Sequence, residues 1–147
     1  MAESDGRPIG RGRRSDRRRA VEILYQADVT GTAPSAVLGG LASRGERITD
    51  FTRDLVLGVE ERLDELDLLI GDHAEEWTIE RMAVVDRNLL RVACFELLHR
   101  PDVPPGAAIA EAVEAAKELS TEGSGRFVNG ILGKIAREIA AGEAGSR

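Results

Sequence analysis

Between Ala20 and Ile139 the aliphatic residues return every three or four positions, and no stretch carries the turn pattern of a β-hairpin. That spacing gathers apolar side chains on one face of a helix and leaves a strand no alternating face to bury. From Ser15 to about Val29, Ala20, Ile23, Leu24 and Ala27 recur at helical spacing, with Ser15 or Asp16 placed to cap the start and Gly31 to stop it. Pro34 suits the first turn of a short second helix carrying Val37, Leu38 and Leu41, after which Gly39, Gly40, Ser43 and Gly45 predict a mobile connection. A long third helix is expected from Thr49-Asp50 to Gly71, with Phe51, Leu55, Val59, Leu63, Leu66 and Ile70 on one broad face.

A short turn or helix is expected around Trp77 and Ile79. Val84 to His99 is apolar around much of its circumference, which marks a central helix. Pro101, Pro104 and Pro105 predict an extended connection, and a further helix follows from about Ala107 to Leu119. Gly123 and Gly125 interrupt it, and a last helix carries Phe127, Val128, Ile131, Leu132, Ile135 and Ile139 as far as Gly142. The expected fold class is therefore all-α, with six or seven helices in two packed helical bundles. One domain spans 1–147, with a flexible arginine-rich arm over 1–14, an N-terminal bundle over 15–71 and a C-terminal bundle over 83–142. Aromatic residues make up only 3% of the chain, which agrees with an aliphatic core packed closely between helices.

Charge is segregated along the chain. The first nineteen residues hold seven arginines (Arg7, Arg11, Arg13, Arg14, Arg17, Arg18 and Arg19) against Glu3, Asp5 and Asp16, net +4. The whole chain is net −6, so the other 128 residues are net −10. A cationic arm on an acidic body points to a polyanionic partner. All seven cations are guanidinium groups, which grip phosphate bidentately and stack on bases, so RNA is the leading candidate ligand. A solvated tail is the alternative. On a continuous helix, Arg14, Arg18 and Tyr25 lie within roughly 40° of one another, opposite Ala20, Leu24 and Ala27. Such a stripe of cations ending in an aromatic suits single-stranded RNA: the guanidinium groups hold phosphates and the ring stacks an unpaired base. The other reading packs Tyr25 against a neighbouring helix and leaves the arginines as solubilising charge.

Catalysis and metal binding find little support. His73 and His99 stand apart from each other and from Cys94, without metal-ligand spacing, and the glycines near 123–133 form no phosphate loop. Glu60, Glu61, Asp64 and Glu65 read as a solvated face. Cys94 lies in an apolar run and reads as a small buried thiol. No enzyme activity, cofactor or metal is expected. No apolar segment approaches a membrane span and no signal-peptide stretch follows the arginines, so a cytoplasmic location is expected.

The chain resembles the NusB family of bacterial transcription antitermination proteins over nearly its whole length. The resemblance is carried by the arginine cluster running into Ala20-Val21-Glu22-Ile23-Leu24-Tyr25, by Asp86-Arg87-Asn88-Leu89-Leu90-Arg91, and by Glu96-Leu97-Leu98 leading to Asp102-Val103-Pro104. Glu111-Ala112-Val113, Ala116-Lys117-Glu118 and, most specifically, Arg126-Phe127-Val128-Asn129-Gly130-Ile131-Leu132 complete it. The resemblance implies a non-catalytic adaptor of two helical bundles that binds boxA RNA with NusE, a small-subunit ribosomal protein. The pair would join other Nus factors on RNA polymerase and support transcription of ribosomal RNA operons. Position by position it implies RNA contacts at Arg13, Arg14, Arg17, Arg18, Tyr25, Arg126 and Phe127, and partner contacts at Asp86 and Arg87. Gly123 and Gly125 depart from residues that some members carry, which predicts a more flexible loop beside the RNA. A homodimer is a further possibility, as is a pure protein-interaction adaptor whose arm binds an acidic protein surface. A third is the targeting part of an RNA-modifying assembly, because NusB-like domains also occur fused to ribosomal RNA methyltransferases.

Overall fold

The apolar run that predicts a central helix becomes α5 (Val84–His99), in which every residue from Asn88 to Glu96 is buried. The structure, a computed structural model, describes residues 11–75 and 77–145. Around α5 are packed α1 (Arg11–Thr30), α2 (Pro34–Ser43), α3 (Asp50–Glu61), α4 (Leu63–His73), α6 (Pro105–Leu119) and α7 (Ser124–Gly145), with one 3-10 turn at Ile79–Arg81. No strand occurs among the described residues. One side of α5 receives α1 and α3, with α2 covering that pair, and the other receives α6, α7 and α4. A single apolar core joins the two sides, from Ile23, Leu55 and Val59 through Leu90 to Leu132 and Ile135.

Most boundaries follow local chemistry. Gly31 ends α1 at φ 71°, with the Thr32 N–H donating to the Ala27 carbonyl at 3.0 Å. The start of α1 differs from expectation. Residues 11–14, assigned to the arm, are its first turn, because Arg13 and Arg14 find carboxylates on other elements. Residues 1–10 of that arm, including Arg7, lie outside the described residues. α2 runs through Gly39, Gly40 and Ser43, where a mobile connection was expected. Burial of Val37, Leu38 and Leu41 outweighs a glycine penalty of about 1 kcal/mol per residue.

The expected third helix is two. Arg62 leaves helical geometry (φ −113°, ψ 24°) between α3 and α4. The break keeps Val59 and Leu66 inward and turns Leu63 out. It also sends α4 onto α5 and α7, so this helix packs with the C-terminal group rather than with residues 15–61. Pro105 begins α6 instead of prolonging the connection, since the first residue of a helix needs no N–H partner and Pro presets its φ. α7 likewise starts earlier than Phe127, at Ser124, and passes Gly142 to Gly145.

α6 and α7 meet closely, with Ala112, Ala115 and Ala116 in one core with Val128, Ile131 and Leu132. The turn between them is pinned. Gly123 takes φ 90°, in the left-handed region where a side chain is strained, and the Ser124 hydroxyl bonds Thr121 Oγ1 (2.9 Å), Ser120 Oγ (3.1 Å) and Asp86 Oδ2 (3.0 Å). Gly125 lies in the first helical turn, where a Cβ would come within 2.8 Å of the Lys117 stem. The segment expected to be a loose loop is thus a tight, hydrogen-bonded corner.

The tightest approach in the core is at Gly58 of α3. A Cβ there would lie 2.3 Å from Cε1 and Cζ of the buried Phe95 ring. Gly58→Ala is expected to cost about 1–3 kcal/mol, the usual range for overpacking, and to lower the midpoint of thermal unfolding. An unchanged midpoint would show that the ring has room to move.

Candidate nucleic-acid interface

The apolar face of α1, formed by Ala20, Ile23, Leu24 and Ala27, is buried against α3 and α5. Helical periodicity therefore divides the arginines by direction. Arg17 precedes Ala20 and Leu24 by three and seven residues, so it points inward. Its Nε and Nη2 donate to Glu96 of α5 at 2.9 and 2.8 Å, with Arg17 11% and Glu96 1% exposed. Arg17, expected among the RNA contacts, thus has its fork engaged by Glu96 inside the fold.

Arg13 is held by Asp102 at 3.0 Å and lies 4.4 Å from the centre of the Phe51 ring. Arg100 shares both neighbours: it donates to Asp102 at 2.9 Å and lies 4.9 Å from the same ring. Cations over a ring face gain from its quadrupole, so Phe51 works as a platform at the start of α3. The Asp102 carboxyl is held well below the usual carboxylate range, first by the hydrogen bond from Arg100 and then by that from Arg13.

Arg14 and Arg18 face outward and converge on α6. Arg14 Nη2 lies 3.4 Å from Glu118 Oε2 and its Nε 3.7 Å from Glu111, while Arg18 Nη1 donates to Glu118 Oε1 at 2.9 Å. The Glu118 carboxyl is lowered by the hydrogen bond from Arg18. Tyr25 is exposed, as the stripe reading requires. Arg19 turns away from this face and pairs with Glu22 and Glu46. Glu118 stands in the last turn of α6, and the fixed corner after it leads directly to Arg126 and Phe127. Arg126 is exposed and lines a shallow cleft with Lys117, Asn129 and Gly123. Phe127 is half-buried and lines a neighbouring cleft with Trp77, Arg81 and Asp86. The fold thus carries the cations of α1 to the end of α6, one corner from Arg126 and Phe127. Spacing in the chain gives no hint of that approach.

Asp86 and Arg87, expected at a partner contact, are engaged within the fold. Asp86 is buried and receives the Ser124 hydroxyl, tying α5 to the start of α7, and its Oδ1 has no partner among the described groups. Arg87 grips Asp28 of α1 bidentately at 2.8 and 2.7 Å. Asp28 also accepts from Asn88 at 3.0 Å and Arg91 at 3.2 Å, and Arg91 continues to Asp67 of α4 at 2.7 Å. The Arg87 hydrogen bonds hold the Asp28 carboxyl below its ordinary value. This ionic chain binds α1, α5 and α4 together. A carboxylate and two arginines at 28, 87 and 91 carry no sequence signal that they will meet.

Trp77 is a second exposed aromatic beside this region, with the Arg81 guanidinium 6.0 Å from its ring. Cys94 is fully buried, and burial pushes its thiol up to about 12. Among the described residues no group of His, Cys, Asp and Glu is placed to hold a metal ion, and no helix is long and apolar enough to cross a membrane.

Residues 14–137 match the model of the NusB family. The chain is 46% identical over 128 residues to the transcription antitermination protein NusB of Salinispora tropica, covering 84% of this chain and 94% of that protein. It is 48% identical over 124 residues to that of Thermobifida fusca, covering 84% and 87%. Among solved structures, NusB of T. maritima superposes with a TM-score of 0.77 at 37% identity, covering 86% of this chain and 91% of that one. A chain from the crystal structure of antitermination factors NusB and NusE in complex with dsRNA superposes with a TM-score of 0.77 at 28% identity, covering 88% and 99%.

Proposed function

The chain belongs to the NusB family, and we propose that it acts as a transcription antitermination factor that binds boxA-type RNA together with NusE. The observation that carries this reading is the outward face of α1. Arg14, Arg18 and Tyr25 share it, and the corner at Gly123 brings Arg126 and Phe127 toward the same end of the molecule. Guanidinium groups would take phosphates along the strand, and Tyr25 and Phe127 would offer ring faces to unpaired bases. Arg13 joins the phosphate contacts by leaving Asp102. No bond is made or broken in this role. The protein positions RNA and partner, and the acidic remainder of the chain repels nucleic acid elsewhere and favours a basic ribosomal protein.

The test is fluorescence anisotropy with a labelled boxA-type strand, a scrambled strand and a duplex, each titrated at several salt concentrations with and without NusE. Binding is expected to prefer the boxA strand and to tighten with NusE. With roughly three to five phosphates neutralised, log K should fall against log salt with a slope of about −2 to −3.5. Equal binding to all three RNAs, indifferent to NusE, would reduce the face to a nonspecific cationic surface, and a flat salt response would remove RNA altogether.

A further inference from the structure

Resting on the reading of α1 as an RNA-binding face, we propose that Glu118 is an internal stand-in for an RNA phosphate, occupying Arg14 and Arg18 until a polyanion displaces it. Two guanidinium groups one helical turn apart converge from α1 on this single carboxylate of α6, each taking a different oxygen: Arg14 at Oε2 (3.4 Å) and Arg18 at Oε1 (2.9 Å). A carboxylate with one charge over two oxygens, each met by one guanidinium nitrogen, reproduces the way a phosphodiester presents its two free oxygens. Glu111, two turns earlier on the same face of α6, flanks Arg14 at 3.7 Å as a second internal carboxylate.

The pair is built to open. Arg14 and Glu118 are 46% and 44% exposed, so water and salt compete for them, whereas the buried Arg17–Glu96 pair is closed to both. Arg18 Nη2 is buried without an acceptor, so the closed arrangement satisfies only half of the fork. A phosphate that drew the guanidinium outward would be gripped by both terminal nitrogens and satisfy the fork. The hydrogen bond from Arg18 keeps Glu118 ionised through the physiological range, so the competitor is present wherever RNA is.

The consequence is a threshold. A polyanion must bring enough contacts to replace the internal carboxylate, which suppresses weak, nonspecific binding and leaves productive affinity dependent on base contacts or on the protein partner. Glu118→Gln keeps the size and hydrogen-bonding reach of the side chain while removing the charge. Affinity for the labelled boxA-type strand, measured without NusE, is expected to rise by about 3- to 10-fold at low salt, the scale of one or two exposed ion pairs, with the gain shrinking as salt rises. Glu61→Gln, at the far end of α3, removes the same charge and should change affinity less than 2-fold, within the range of general surface electrostatics. In an Arg14→Ala/Arg18→Ala background the gain from Glu118→Gln should vanish. A Glu118→Gln gain no larger than that of Glu61→Gln, or one that persists without the two arginines, overturns the stand-in while leaving RNA binding intact. Absence of salt-sensitive binding by both wild type and Glu118→Gln overturns both readings.

Discussion

Arg17→Ala is expected to lose about 3–5 kcal/mol of folding stability, the range for breaking one partner of a buried ion pair. The reason is the carboxylate left behind. Glu96 is 1% exposed within α5, and the hydrogen bonds its carboxylate receives among the described residues come from Arg17, at 2.8 to 3.0 Å. With the guanidinium gone, the charge has neither water nor a partner, and α1 loses its tie to the central helix. For a chain of this length that amounts to a fall of roughly 10–15 °C in the unfolding midpoint. Arg14→Ala, on the exposed face, should stay within about 0.5 kcal/mol of wild type. Arg17→Lys should fall between them, because an ammonium keeps the charge but not the fork. Thermal unfolding of the three variants checks the ordering. Should Arg17→Ala melt like wild type while losing RNA affinity, Arg17 would belong to the RNA contacts after all.

That contrast shows what the amino-acid order could and could not tell. The period of three to four that placed Ala20, Leu24 and Ala27 inward places Arg17 inward as well, three residues before Ala20. The clue was present, and it was hidden by treating the arginines as one cluster. Glu96 was equally visible as a carboxylate inside a run apolar on all sides, a position that demands a counter-charge. α5 was legible because its apolar residues cover much of its circumference, and the all-α architecture followed from the pattern elsewhere. The break at Arg62 was not legible. Phe51 to Ile70 fits one continuous stripe, and only packing of α4 against α5 and α7 requires the change of direction. Arg87 and Asp28 are separated by 59 positions, and nothing local reports that they meet. The same holds for Glu118, whose approach to Arg14 and Arg18 spans 104 and 100 positions. Periodicity tells which way a side chain faces on its own helix; what it faces is decided by tertiary contacts.

Removing both outward arginines, Arg14→Ala/Arg18→Ala, is expected to weaken boxA-type RNA binding by roughly 10- to 100-fold at physiological salt, and the salt dependence should separate their role from that of Tyr25. Each phosphate contact on a single strand contributes about 0.7 to the slope of log K on log salt, so loss of two should flatten it by about 1.4. Tyr25→Ala removes an uncharged ring. Stacking of one base accounts for about 1–3 kcal/mol, so affinity should fall by roughly 5- to 150-fold with the slope unchanged. Arg14 and Tyr25 are exposed and Arg18 is half-buried, so the cost in stability should be small for Tyr25→Ala and modest for the double variant, and circular dichroism should show intact helicity. An Arg14/Arg18 variant that lost affinity with an unaltered slope would mean that the guanidinium groups act on bases or on α6 rather than on phosphate. A Tyr25 variant that flattened the slope would mean that the ring positions the arginines instead of a base. The two slopes together decide whether α1 reads RNA as a polyanion with one stacked base or serves only as a cationic surface.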